Sequence, residues 1–183
     1  MELFTAIETR RSIRAYQDTP VKDEDIKKLL EMALIAPNAG GNWHFTVIRN
    51  KALLDEISEL NRKMMLESGN PRNVAKAEDP NFHSFWHAPC AIVLSCDPNF
   101  PGSCATIAMA GENICLAALE LGLGTCFMGS SNLCLMTPPG AEIVKKFELP
   151  EKYVPMFSIA VGYPAAAAGP RAPAKPNIVK CID

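Results

Sequence analysis

This sequence lacks most of the features that give a function away. It has no G-x-x-x-x-G-K-[ST] run, which excludes a phosphate-binding loop of the P-loop kind. No G-x-G-x-x-G opens a helix after a strand. The glycines of "GLGTCFMG" end a helical pattern, so a dinucleotide fingerprint is not supported. G-x-S-x-G and H-E-x-x-H are missing, and none of the seven cysteines forms a C-x-x-C pair. No apolar run approaches the roughly 20 residues of a membrane span. The start, Met1-Glu2-Leu3-Phe4, lacks the basic region of a signal peptide. Neither sign of charge predominates: 18 Lys and Arg stand against 20 Asp and Glu, a net charge of −2. Such a balance gives no global attraction to nucleic acid or an anionic membrane. These absences point to a cytoplasmic protein with a small-molecule substrate. The odd number of cysteines, mostly in apolar surroundings, fits reduced and buried thiols.

What is present suffices for a core. With 183 residues, 48% hydrophobic and 21% charged, the chain reads as one α+β domain over residues 1–183. A short opening helix is expected over about Glu2–Glu8, with Leu3, Phe4 and Ile7 as its apolar stripe. "TPVKDEDIKKLLEMALIAP" is an amphipathic helix whose Ile26, Leu29, Leu30, Ala33 and Leu34 share one face, ended by Pro37. "HFTVIR" reads as a strand, and a helix from about Lys51 carries Leu54, Ile57, Leu60 and Met64. Residues 67–88 are polar and proline-punctuated, predicting loops with a short helix. "CAIVLSC" is a buried strand, and Thr106–Leu121, apolar nearly all round, is a central helix capped by Gly122. "GTCFMG" and "FSIAVGY" are further strands with a helix near Ala141–Phe147 between them. Met128 and Met136 read as core fillers. The tail beyond Tyr163 is proline-rich and needs a surface, such as a partner subunit, to lie on.

The segment "AIETRRSIRAY" raises the sharpest question. Arg10, Arg11 and Arg14 fall within five positions, although like charges so close repel one another. Either they are a solvated charge run, or they converge on an anion that guanidinium forks suit. If the segment is extended, Arg10, Ser12 and Arg14 share one face and Arg11 and Ile13 the other. "HSFWHAPC" poses a second question, since His83, His87 and Cys90 contain metal-ligand residue types. Pro80 and Pro89 bracket the segment and no second ligand cluster has standard spacing, so no metal is assigned there. A Cys–His hydrolase is the remote reading of these residues.

Four segments taken in order resemble the nitroreductase family of flavin enzymes: "TRRSIRAY", "APNAGGNWHF", "ENICLAALELGLGTCFMG" and "IAVGYPA" with its proline-rich tail. The resemblance implies an α+β fold, with a central mixed or antiparallel sheet of four to five strands flanked by helices, a long central helix and an extended C-terminal tail. It implies that Arg10, Arg11, Ser12 and Arg14 hold the phosphate of FMN, helped by Arg171 or Lys175. Pro37, Asn38, Ala39, Gly40 and Asn42 match the loop that meets the flavin, although "GNWHF" is shorter there than the family pattern and lacks its Gln-Pro. The backbone of Phe127, Met128 and Gly129 matches the strand end near flavin N5, and Asn113 matches a structural asparagine. It further implies a homodimer with FMN at the interface and an NADH- or NADPH-dependent oxidoreductase passing electrons to a nitroaromatic, quinone or enone. A flavin-binding protein without reductase turnover is the alternative, motivated by the shortened loop.

Overall fold

The computed structural model describes residues 2–38, 40–173, 175–176 and 178–182. Ten regular elements alternate along the chain. Helix α1 covers Leu3–Thr9, α2 Asp23–Leu34, strand β1 His44–Ile48, α3 Lys51–Glu67, α4 Pro71–Ala77 and β2 Cys90–Cys96. They are followed by α5 Ser103–Glu120, β3 Gly124–Met128, α6 Pro138–Lys145 and β4 Val154–Gly162, with a 3₁₀ turn over Ser130–Met136.

The strands form one antiparallel sheet in the order β1-β2-β4-β3. Every residue of β2 is buried, as a continuous apolar strand requires when both faces are covered. Its side chains alternate between two cores. Cys90, Ile92 and Leu94 pack with Leu29, Ala33, Ile107 and Ile114 of α2 and α5. Ala91 and Val93 face Leu54, Ile57 and Ile143 of α3 and α6. The result is a sheet between two helical layers.

Local chemistry sets the helix ends. Lys22 offers α2 no side-chain cap, and Asp23, Glu24 and Asp25 complement the positive end of its dipole instead. Helix α5 starts three residues earlier than its apolar period suggests, after Gly102 at φ 83°. Its far end is a Schellman motif: Leu123 N donates to Ala118 O at 2.8 Å and Gly122 N to Leu119 O at 3.2 Å, with Gly122 at φ 69°. Asn113 of α5 donates to the Met32 carbonyl in the last turn of α2 at 3.0 Å, satisfying one of its orphan acceptors.

Four expectations need correction. Leu3, Phe4 and Ile7 are exposed and only Ala6 of α1 is buried, because α1 lies on the rim with none of the described residues covering its outer side. Leu34 is likewise exposed while Ile26, Leu29 and Ala33 are buried. Met128 fills the core as expected, but Met136 is 59% exposed at the end of the 3₁₀ turn, which periodicity did not reveal. Helix α6 begins at Pro138, not Ala141, because Thr137 caps it by accepting from Gly140 N and proline suits the first helical position. Among the described residues no helix is long and apolar enough to cross a membrane.

Gly111 lets the central helix meet the sheet. A Cβ there would overlap Phe127 Cε2 and stand 3.2 Å from Leu94 Cδ2. Helix propensity alone favours alanine over glycine by about 1 kcal/mol. Overpacking typically costs about 1–3 kcal/mol. Sterics therefore win, and Gly111→Ala is expected to lower the urea midpoint without changing the slope, where propensity would raise it.

Candidate functional site

The segment after α1 runs extended along the outer edge of β3 and past the end of β4. Ser12 forms a parallel bridge with Thr125, and Ile13 N donates to Thr125 O at 2.9 Å. Further on, Gln17 N donates to Tyr163 O at 2.9 Å and Ala165 N to Ala15 O at 3.0 Å. The Tyr16 hydroxyl donates to Ile13 O at 2.9 Å, and burial raises its pKa above the ordinary tyrosine range. Gly124 permits this approach, since a Cβ there would lie 2.7 Å from Ile13 Cγ1 and 2.9 Å from Pro164 Cγ.

The tethered edge gathers four guanidinium groups. Arg10, Arg11, Ser12, Arg14 and Arg171 line a cleft of about 380 Å³ together with backbone of the tail. Arg10 Nε lies 3.0 Å from Glu112 Oε1 of α5. Arg11 donates to the carbonyls of Glu8 and Arg10 at 2.6 and 2.8 Å. Arg171 donates to those of Ile7, Glu8 and Arg10 at 3.1, 3.3 and 3.2 Å. These carbonyls belong to the negative end of α1, where a cation is favoured. The guanidinium of Arg14 lies over the Trp86 ring, 5.4 Å from its centroid.

Arg10 and Arg14 do not share one simple face. Arg10 turns toward α5 and Arg14 toward the opposite layer, so the two straddle the sheet edge with Ser12 between them. Arg171 stands at the cleft, whereas Lys175 does not line it.

The same edge continues toward the expected ring site. Thr125 turns its carbonyl outward to Ile13, so the period of two along a strand turns the main-chain groups of Phe127 outward as well. Met128 is buried and pairs with Ser158, and Gly129 leads into the 3₁₀ turn. Buried Asn132 in that turn holds Ser158, accepting from its hydroxyl.

The loop at 37–42 lies elsewhere in the chain. Asn38 accepts from Gly41 N at 2.8 Å, and Gly40 adopts φ 82° with Phe100 packed over it. Asn42, expected beside the flavin, is buried with its side chain committed to scaffolding. It donates to Ser103 Oγ at 2.8 Å and accepts from Asp97 N at 3.0 Å. These bonds tie the loop to the Cys96 end of β2, while Thr125 and Ser12 sit toward the other end of the sheet. No described residue of this loop lines the arginine cleft. Pro37 follows α2 in this loop, and Ala39 lies outside the described residues.

The histidine segment forms a structural turn. Phe85 N and His87 N both donate to His83 Nδ1, at 3.1 and 3.0 Å, so Nε2 carries the ring hydrogen and donates it to Asp55 at 3.2 Å. The His87 ring stacks on His83 at 4.2 Å. The ligand atoms of Asp55, His83 and His87 all fall within 4.8 Å, yet the one lone pair of His83 is already taken. A metal ligand instead keeps a free lone pair and donates its other N–H. Cys90 is buried against α2 and α5, and burial pushes its thiol up to about 12, which removes the nucleophile from a hydrolase reading. The other cysteines are free thiols as well. Serines pin this turn to α3, with Ser84 N donating to Ser58 Oγ at 2.8 Å and Asn61 donating to Ser84 Oγ at 2.9 Å. Trp86 and His87 pass through it at φ 50° and 56°.

Sequence reasoning missed Trp86 and Glu112 as neighbours of the arginines. The aromatics of "HSFWHAPC", Trp86 among them, suggest in sequence only a loop that packs on the body or lines an apolar pocket. Nothing local ties it to Arg14, and only the topology brings the two together.

The nitroreductase family model matches residues 7–163. A protein of Methanothermobacter thermautotrophicus named "Putative NADH dehydrogenase/NAD(P)H nitroreductase" is 36% identical, over 93% of this chain and 82% of its own length. An "FMN reductase [NAD(P)H]" of Bacillus subtilis is 28% identical over 94% of this chain and 70% of its own. Among solved structures, a nitroreductase with bound FMN from Bacteroides fragilis superposes with a TM-score of 0.89 at 25% identity, covering both chains fully.

The His83 turn makes stability pH-dependent. Burial lowers the His83 pKa from its usual value, reinforced by His87 and Lys51 and opposed by Asp55. Unfolded histidine takes a proton near pH 6.5. The contribution of His83 is therefore complete above that pH and lost as pH falls toward the lower folded value. Melting curves from pH 7.5 to 5 should show a falling midpoint. His83→Asn, whose side-chain oxygen can accept the same two N–H groups without titrating, should flatten the decline.

Proposed function

This chain belongs to the nitroreductase family, and from that premise we propose that it is an FMN-dependent NAD(P)H oxidoreductase. The observation that carries the reading is the arginine cleft. Four guanidiniums and a hydroxyl surround one space, with Glu112 on Arg10 the only carboxylate paired to them among the described residues. The terminal phosphate of FMN carries close to two negative charges at neutral pH and offers acceptors to such forks. The donor set fits the group. FMN held there would supply the redox chemistry, hydride transfer from NAD(P)H and ping-pong passage of electrons to a nitroaromatic, quinone or enone.

The chain's own residues do the rest. Arg10, Arg11, Ser12 and Arg14 bind the phosphate, and Arg171, anchored on α1, completes the cradle in preference to Lys175. The outward main-chain groups near Phe127 and Gly129 approach the ring with fixed dipoles, an electrostatic environment built without an ionisable side chain. The 37–42 loop, distant from the cleft of its own chain, serves the site of a second copy. Homodimerisation also explains the exposed apolar stripe of Leu3, Phe4 and Ile7 with Leu34 and Ile35, and the exposed Ile178, Val179 and Ile182 of the tail. We read residues 1–183 as one FMN-binding unit.

Purified protein is expected to be yellow, to elute as a dimer, and to bleach on addition of NADH or NADPH. Protein that is colourless and takes up no added FMN overturns the reading. Protein that holds FMN which neither nicotinamide bleaches is a flavin-binding protein without turnover. Arg14→Ala should weaken FMN by about 1.5–3 kcal/mol, the range for a hydrogen bond to a charged group, measured by titration of flavin fluorescence.

A further inference from the structure

We infer that Trp86 is a positioning residue for Arg14, setting the preference of the cleft for a phosphorylated flavin; this rests on the FMN reading above. Among the described residues, Arg14 alone of the four cleft arginines has neither a carboxylate nor a carbonyl partner. It rests on the Trp86 ring at 5.4 Å, inside the range of about 6 Å for a cation over an aromatic face. A cation–π contact of this kind uses up none of the guanidinium's N–H groups in conventional hydrogen bonds, so they are left to meet phosphate oxygens.

The ring is a rigid support. Trp86 sits in the left-handed region at φ 50°, and its N–H donates to His83 O at 3.0 Å. The His83 imidazole closes the turn around it, and Ser58 and Asn61 pin that turn to α3. The indole also packs on the buried cluster around Phe85 and Leu54. An arginine otherwise free in solvent loses rotamer entropy on gripping a ligand. An arginine already stacked has lost part of that before the ligand arrives, so affinity rises. Because Arg14 acts on the phosphate, the gain goes to FMN and not to riboflavin, which lacks that group.

The test compares FMN and riboflavin binding by fluorescence titration of the full-length apoprotein. Trp86→Leu should weaken FMN about two- to fivefold, the size of an exposed cation–π contact, and leave riboflavin unchanged. Trp86→Phe should recover most of the loss. In an Arg14→Gln background Trp86→Leu should do nothing further. Should Trp86→Leu fail to fold, mono-, di- and trifluorotryptophan placed at position 86 preserve the shape while draining the ring face. FMN affinity should then fall stepwise with fluorine number. Equal losses for both flavins, additive effects in the double variant, or a flat fluorine series would overturn the inference. Wild-type protein that binds neither flavin would instead remove the FMN reading itself.

Discussion

Crowding several permanent cations at one sheet edge is the constraint on which the rest of the structure turns. Arg10, Arg11, Arg14 and Arg171 meet there: Arg10 is held by a carboxylate on α5, Arg14 by an indole face, and Arg11 and Arg171 by carbonyls at the negative end of α1. None of these devices neutralises the group as a whole, since among the described residues only Glu112 brings a full negative charge. Surface ion pairs of that kind contribute at most about 1 kcal/mol. The arrangement keeps the arginines ordered without satisfying them, as the proposed phosphate site requires.

Sheet topology decides where this cleft stands. With β3 at the end of the order β1-β2-β4-β3, one row of main-chain groups is left for the N-terminal segment at Thr125 and for a ligand farther along. Two glycines make the edge usable. Gly124 lets Ile13 and Pro164 close over the strand, and Gly111 lets α5 press against Phe127 from behind. The 37–42 loop is held by Asn42 to Asp97 and Ser103 at the other end of the sheet, so its separation from the arginines is a built feature.

Much of this was legible beforehand because it is local. The periodicity of α2, the apolar run of β2, the Schellman glycine at 122 and the arginine cluster announce themselves within a few residues. What stayed hidden depends on surfaces the chain brings together from afar. Leu3, Phe4 and Leu34 look like core by pattern, yet among the described residues no layer covers them. His83 and His87 have the residue types of a metal site, and only hydrogen-bond geometry shows that the His83 lone pair is already taken. The matched asparagine of the flavin loop is spent on holding β2 and α5, which its place in a motif cannot reveal.

The bridge between Ser12 and Thr125 also bears on how the molecule comes into being. The arginine segment leaves the ribosome well before the strands it docks on, β3 and β4, which follow more than 100 residues later. Contacts so distant along the chain close slowly, because loop entropy must be spent before they repay it. The arginine cleft is thus a late product of folding, and a nascent chain carries its arginines unsheltered until β3 and β4 have emerged.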